Sequence, residues 1–119
     1  MQVTTYAFTE NNQTISPGSE AWWTLNAPAN TTIVSVGWQI VAGNDIGGLM
    51  PTQCFVSDNG NSSYIEVYNN EYINQIGNSN NTYTVQVSLV LVSNSSNTYS
   101  LSDFNVRSEQ RMVVRAQSK

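Results

Sequence analysis

From Thr82 to Val92 the chain alternates strictly, with Tyr83, Val85, Val87, Leu89 and Leu91 on one side and Thr84, Gln86 and Ser88 on the other. A period of two places successive side chains on opposite faces of a strand, so this segment predicts a central strand with one buried face. A second alternation runs from Thr32 through Val34, Val36, Trp38 and Ile40, with Ser35, Gly37 and Gln39 opposite, and predicts a half-buried strand with Trp38 in the core. In Tyr64-Ile65-Glu66-Val67-Tyr68, Ile65 and Val67 face one way while Tyr64, Glu66 and Tyr68 face the other. Shorter β-prone runs lie at 2–9, Ala21-Trp22-Trp23-Thr24-Leu25, Cys54-Phe55-Val56 and around Tyr99-Leu101.

Turn residues separate these runs. Asn11-Asn12 and Ser16-Pro17-Gly18-Ser19 read as one loop, and Asn26-Ala27-Pro28-Ala29-Asn30 breaks the next pattern. Residues 43–48 are too glycine-rich for an element interior, Asn59-Gly60 is a tight-turn signal, 69–81 reads as a long connection and 93–98 as a polar turn. No segment has a helical period. Seven or eight short strands spaced in this way predict an all-β fold, an antiparallel two-sheet β-sandwich or jelly roll.

The chain has 119 residues, enough for one domain with a core of its own. Only 10 % of its residues are charged, so its polar surface is built from Asn, Ser, Thr and Gln, as is common in extracellular and virion proteins. The charge is also unevenly placed. Residues 1–106 hold seven acids and no base, about −7, whereas 107–119 hold Glu109 with Arg107, Arg111, Arg115 and Lys119, about +3. The expected organisation is therefore a β-sandwich domain over 1–106 and a basic C-terminal strand or arm over 107–119. A cationic segment on an anionic body is drawn to that body or to a neighbour's, which makes the four bases candidate assembly contacts. The alternatives are a solvated terminal strand whose charges discourage edge-to-edge aggregation, and nucleic-acid binding, which an anionic body disfavours.

The segment Pro28 to Trp38, the Asn59-Gly60 turn, Tyr64 to Tyr68 and the strand Val85 to Val92 together resemble small β-sandwich modules of phage virions and bacterial surface proteins. The resemblance covers about residues 28–92 and implies a structural or surface-display role without catalysis. It transfers no functional residue.

Chemistry is sparse. With no His and a single Cys54, the usual nucleophile–base arrangements and zinc ligand sets are not available, and Cys54 in its apolar setting is expected to be an inert core thiol. Glu20, Asp58, Glu66 and Glu71 could in principle furnish a carboxylate pair for glycoside hydrolysis. Asp58-Asn59-Gly60-Asn61 departs from the calcium-loop pattern and is explained by a hairpin turn. The five Asn-x-Ser/Thr sequons are what so much Asn, Ser and Thr yields by chance. Aromatic residues remain: Trp22 and Trp23 must face opposite sides of one strand, and Tyr64, Glu66 and Tyr68 form either a recognition strip or sheet packing.

The leading expectation is a non-enzymatic structural subunit of a virion, a capsid decoration, minor capsid or tail component, working without a cofactor and assembling with copies of itself or with other virion proteins. The alternative is a carbohydrate-binding or adhesion module using Trp22, Trp23, Tyr64 and Tyr68. The expected location is a virion or extracellular surface. The chain as given starts without a signal-peptide pattern and has no apolar run long enough for a membrane span.

Overall fold

A computed structural model describes residues 1–43, 48–71, 82–94 and 97–113. Within these residues eight strands are formed: β1 (Gln2–Ala7), β2 (Gln13–Ile15), β3 (Ser19–Asn26), β4 (Thr31–Gly43), β5 (Leu49–Val56), β6 (Ser62–Asn69), β7 (Tyr83–Ser93) and β8 (Asn105–Met112). They make two antiparallel sheets packed face to face, the two-sheet sandwich that the alternation predicts. In sheet A, β7 is central, with β4 along one side and β1 followed by β2 along the other. Sheet B has the order β5-β6-β3-β8. Among the described residues, no helix is long and apolar enough to cross a membrane.

The core is the sum of the inward positions. Tyr83, Val85, Val87, Leu89 and Leu91 of β7 are all at most 2 % exposed and face Ala21, Trp23 and Leu25 of β3 and Ile65 and Val67 of β6, which are fully buried. Trp23 fits because its one polar group is satisfied: Nε1 donates to the Asn11 carbonyl oxygen at 2.7 Å. Two turns have the backbone their residues favour. Ser16-Pro17-Gly18-Ser19 closes with Ser19 N–H on the Ser16 carbonyl at 3.1 Å, and Gly18 sits at φ +78°. In the β5–β6 hairpin the Gly60 N–H donates to the Ser57 carbonyl at 2.9 Å, with Gly60 at φ +73°.

The structure departs from the sequence reading in several places. In β4 the phase is reversed at its start: Thr31 and Ile33 point inward, whereas Val34 is 52 % exposed. A β-bulge between Ile33 and Ser35 accounts for this, because one extra residue shifts the alternation and brings Val36, Trp38 and Ile40 opposite Leu89, Val87 and Val85. Trp38 is on the inner face, as expected, but only partly buried, because β4 is an edge strand. Cys54 is exposed and not a core thiol, although it pairs with buried Ile65, because β5 is the other edge on that side. The expected strand around Tyr99-Leu101 is instead an irregular segment leading to a 3-10 turn at Leu101–Asp103, where the Asp103 carboxylate accepts the Ser100 N–H at 2.9 Å.

The loop read between 11 and 19 also contains the short strand β2, whose Ile15 is fully buried. The basic segment begins as a strand, and the division expected at residue 106/107 falls inside β8.

Candidate functional face of sheet B

Because β8 pairs with β3 in register, Arg107 lies beside Thr24, Glu109 beside Trp22 and Arg111 beside Glu20. On the other side of β3, Glu20 pairs with Tyr68, Trp22 with Glu66 and Thr24 with Tyr64. Strand β5 completes the rows, with Met50 beside Tyr68, Gln53 beside Glu66 and Phe55 beside Tyr64. Directly opposed residues share a face, so all these side chains stand on the outer surface of sheet B. With strands about 4.8 Å apart and about 3.4 Å per residue, the three rows cover a platform of roughly 14 by 14 Å.

Trp22, Tyr64 and Tyr68 are thus brought together, and Arg107 and Arg111 lie on the same face. Trp23 does not belong to it, being in the core. Arg115 and Lys119 lie outside the described residues. Of the acids named from sequence, only Glu20 and Glu66 meet here. Asp58 is in the β5–β6 turn, and Glu71 accepts a hydrogen bond from the Tyr83 hydroxyl at 2.8 Å. Phe55, 51 % exposed with its ring 5.6 Å from that of Tyr64, is a member the sequence reading overlooked. The alternation of Cys54-Phe55-Val56 was its only signal.

Two of the charged groups on this face, Arg111 and Glu20, form an ion pair, and a third, Glu66, is held by hydroxyls. Arg111 Nε donates to Glu20 Oε2 at 2.8 Å, and its guanidinium lies 5.7 Å from the centre of the Trp22 ring. Glu66 accepts hydrogen bonds from the Tyr64 hydroxyl at 2.8 Å and from the Thr52 hydroxyl at 2.8 Å. Burial alone would raise the pKa of Glu66, but the hydrogen bonds from Tyr64 and Thr52 and the nearby Arg111 charge outweigh it, and the net shift is downward.

The Tyr64 hydroxyl is pushed up to about 12, first by burial, then by the hydrogen bond to Glu66 and the nearby carboxylate charges, with Arg111 opposing. A raised tyrosine pKa favours the neutral, folded-state hydroxyl, so this stabilising contribution is complete below the ordinary value near 10 and is lost as pH rises towards 12. In an alkaline titration followed by tyrosinate absorbance, Tyr64→Phe should remove a group that titrates near 12. Glu66→Gln should move that group part of the way back down, whereas an unchanged curve in both variants would contradict the assignment.

A concavity of about 590 Å³ lies at one end of the sandwich between the segments of Pro28, Asn30, Thr98, Tyr99 and Asp103. It is open, and its carboxylate is engaged by the Ser100 backbone. Among the described residues there is no cluster of His, Cys, Asp and Glu suited to a metal ion. Comparison with known proteins finds no matching family model, no matching curated protein and no matching solved structure, so the face of sheet B is read from its own geometry.

Proposed function

We propose that the protein is a non-enzymatic binding module whose outer sheet B face recognises carbohydrate. The observation that carries this reading is the flat arrangement of Trp22, Tyr64, Tyr68 and Phe55 around the Arg111–Glu20 ion pair and the hydrogen-bonded Glu66. Sugar rings have apolar faces and hydroxyl rims, so they suit aromatic planes set among carboxylates, amides and hydroxyls. A hydrolytic role for the Glu20–Glu66 pair fits less well. Glu20 is bound to the Arg111 guanidinium at 2.8 Å and Glu66 to two hydroxyls, so both carboxylates are already engaged within the face. Glu66 is also shifted downward, and a general acid needs the opposite shift.

Binding to a glycan array is the test. Saturable binding is expected, weakened roughly thirtyfold by Trp22→Ala, the effect of losing about 2 kcal/mol at a central aromatic contact. Tyr64→Ala and Tyr68→Ala should each weaken it too. A full array without saturable binding, or binding indifferent to all three substitutions, would remove the proposal.

A second reading is a structural subunit of a virion-like assembly joined through β8. It draws on one observation: β8 is an edge strand, with Arg107, Glu109 and Arg111 exposed along it and with Met112 and Val113 exposed at its end. Its signature would be an oligomer that salt dissociates and that Arg107→Gln weakens.

A further inference from the structure

A sheet edge presents a row of backbone N–H and C=O groups with which another strand can pair, unless the edge is interrupted. The described edges differ in this respect. Strand β4 carries bulges between Ile33 and Ser35 and between Ile40 and Ala42, and β5 carries Pro51 and a bulge before Gln53. Strand β2 has three residues, and β1 has six, none of them charged. Strand β8 has eight residues, contains no proline and pairs with β3 without a register shift. Val113, next after it, donates its N–H to the Gly18 carbonyl at 2.8 Å, so the odd-numbered residues of β8 turn their backbone groups towards β3. Val106, Ser108, Gln110 and Met112 turn theirs to the open side.

We propose that β8 pairs with β8 of a second copy of this chain, antiparallel, about a two-fold axis through Ser108. The charges of its outer face select both the occupant and the register. Opposed residues must share a face, so a symmetric ladder is centred on a single residue that stands opposite itself. Centred on Glu109, the ladder sets Glu109 against Glu109 and Arg107 against Arg111; centred on Arg107 or Arg111, it sets that arginine against itself. Centred on Ser108, it places Arg107 opposite the partner's Glu109 and Glu109 opposite the partner's Arg107. Among the described residues these are the two charged side chains of β8 without an ion pair, since Arg111 is held by Glu20. Arg111 then faces the partner's Asn105, and the ladder covers 105–111. Centring on Gln110 would oppose Glu109 to Arg111, which already has Glu20, and would run past the end of the strand at Met112.

A second copy supplies this complement by symmetry alone. The two B sheets become one, in the order β5-β6-β3-β8-β8-β3-β6-β5, and their outer faces become one surface. The two Trp22 residues are then three strand spacings apart across it, roughly 14 Å. The inference does not depend on sugar binding; it builds on the second reading above by giving β8 a definite partner and register.

The test is the solution mass over a concentration series for the full chain, for Arg107→Glu, for Glu109→Arg and for the double variant Arg107→Glu/Glu109→Arg. The parent mass is expected to rise from 13.1 kDa to twice that value, with high salt weakening the association. Each single reversal sets like charges opposite each other twice and should weaken association roughly thirtyfold. An equal mixture of the two single variants should form a dimer with one copy of each, and the double variant should dimerise by itself, because both restore opposite charges across the axis. Arg107 and Glu109 are exposed, so all variants should melt at the parent's temperature, and a lower mass then reports a lost contact. A parent that is monomeric at every concentration overturns the proposal. So does an Arg107→Glu chain that dimerises as well as the parent, or a pair of single variants that do not rescue each other. A salt-sensitive oligomer that fails this rescue assembles in another register or through another surface, which overturns the inference while the second reading stands.

Discussion

Trp23→Ala is expected to destabilise the fold by about 3–5 kcal/mol, whereas Trp22→Ala, one residue away, should cost about 1 kcal/mol or less. Both are tryptophans on β3, and their difference is one of face. Trp23 is fully buried among the core side chains, and its removal leaves a cavity that the packed β7 and β6 residues can fill only in part. It would also leave the Asn11 carbonyl oxygen without the indole N–H that meets it at 2.7 Å. Trp22 stands on the outer face, where its loss forfeits the Arg111 contact and some cross-strand packing. Chemical denaturation of the two variants checks this, and equal midpoints would mean that the two rings have been placed on the wrong faces.

Ending the chain at Asn105 is expected to prevent stable folding. Strand β8 pairs with β3 along the whole length of β3, from Ser19 opposite Met112 to Asn26 opposite Asn105. Without it, β3 presents an unpaired edge and Leu25 loses Val106 beside it. Glu20, whose side chain is 11 % exposed, loses the Arg111 guanidinium. The link to β2 also goes, since Gln13 Nε2 donates to Ser108 Oγ at 3.0 Å and Gln110 Nε2 donates to Gln13 Oε1 at 2.7 Å. Together these losses approach the roughly 5–15 kcal/mol by which a domain is stable. Circular dichroism and gel filtration should show an unfolded or aggregated chain. By contrast, Arg107→Gln should cost about 1 kcal/mol or less, because Arg107 is exposed. A well-folded chain ending at Asn105 would make β8 a peripheral arm after all.

Strand alternation was legible wherever one face of a strand is buried along its full length. In β7 and β6 every inward residue follows from the sequence, since a strand between two neighbours has no edge at which to break phase. The edge strands were not legible in this way. The bulge at Val34 reverses the phase of β4, and Cys54 reads as core but stands exposed, because a local pattern contains no information about which strand lacks a neighbour. The candidate face was half legible. Tyr64, Glu66 and Tyr68 are visible as one side of a strand, and Trp22 and Trp23 as opposites, but their union with Arg107 and Arg111 depends on β3 pairing with β8. No local signal specifies a pairing between residues 19–26 and 105–112.

That pairing also governs how the chain must reach its native state. Among the described residues only β5 and β6 are both consecutive in sequence and hydrogen-bonded to each other, so the Gly60 hairpin is the one ladder there that can form from neighbouring strands. Every other ladder waits for a distant partner, and a topology dominated by such pairings folds on the slow, millisecond-to-second scale. At a synthesis rate of roughly 5–20 residues per second, β3 is made about 4–17 s before β8 exists. During that interval Trp23 and Leu25 belong to a strand without its closing partner, and such unpaired edges and exposed apolar side chains make a nascent chain prone to aggregate.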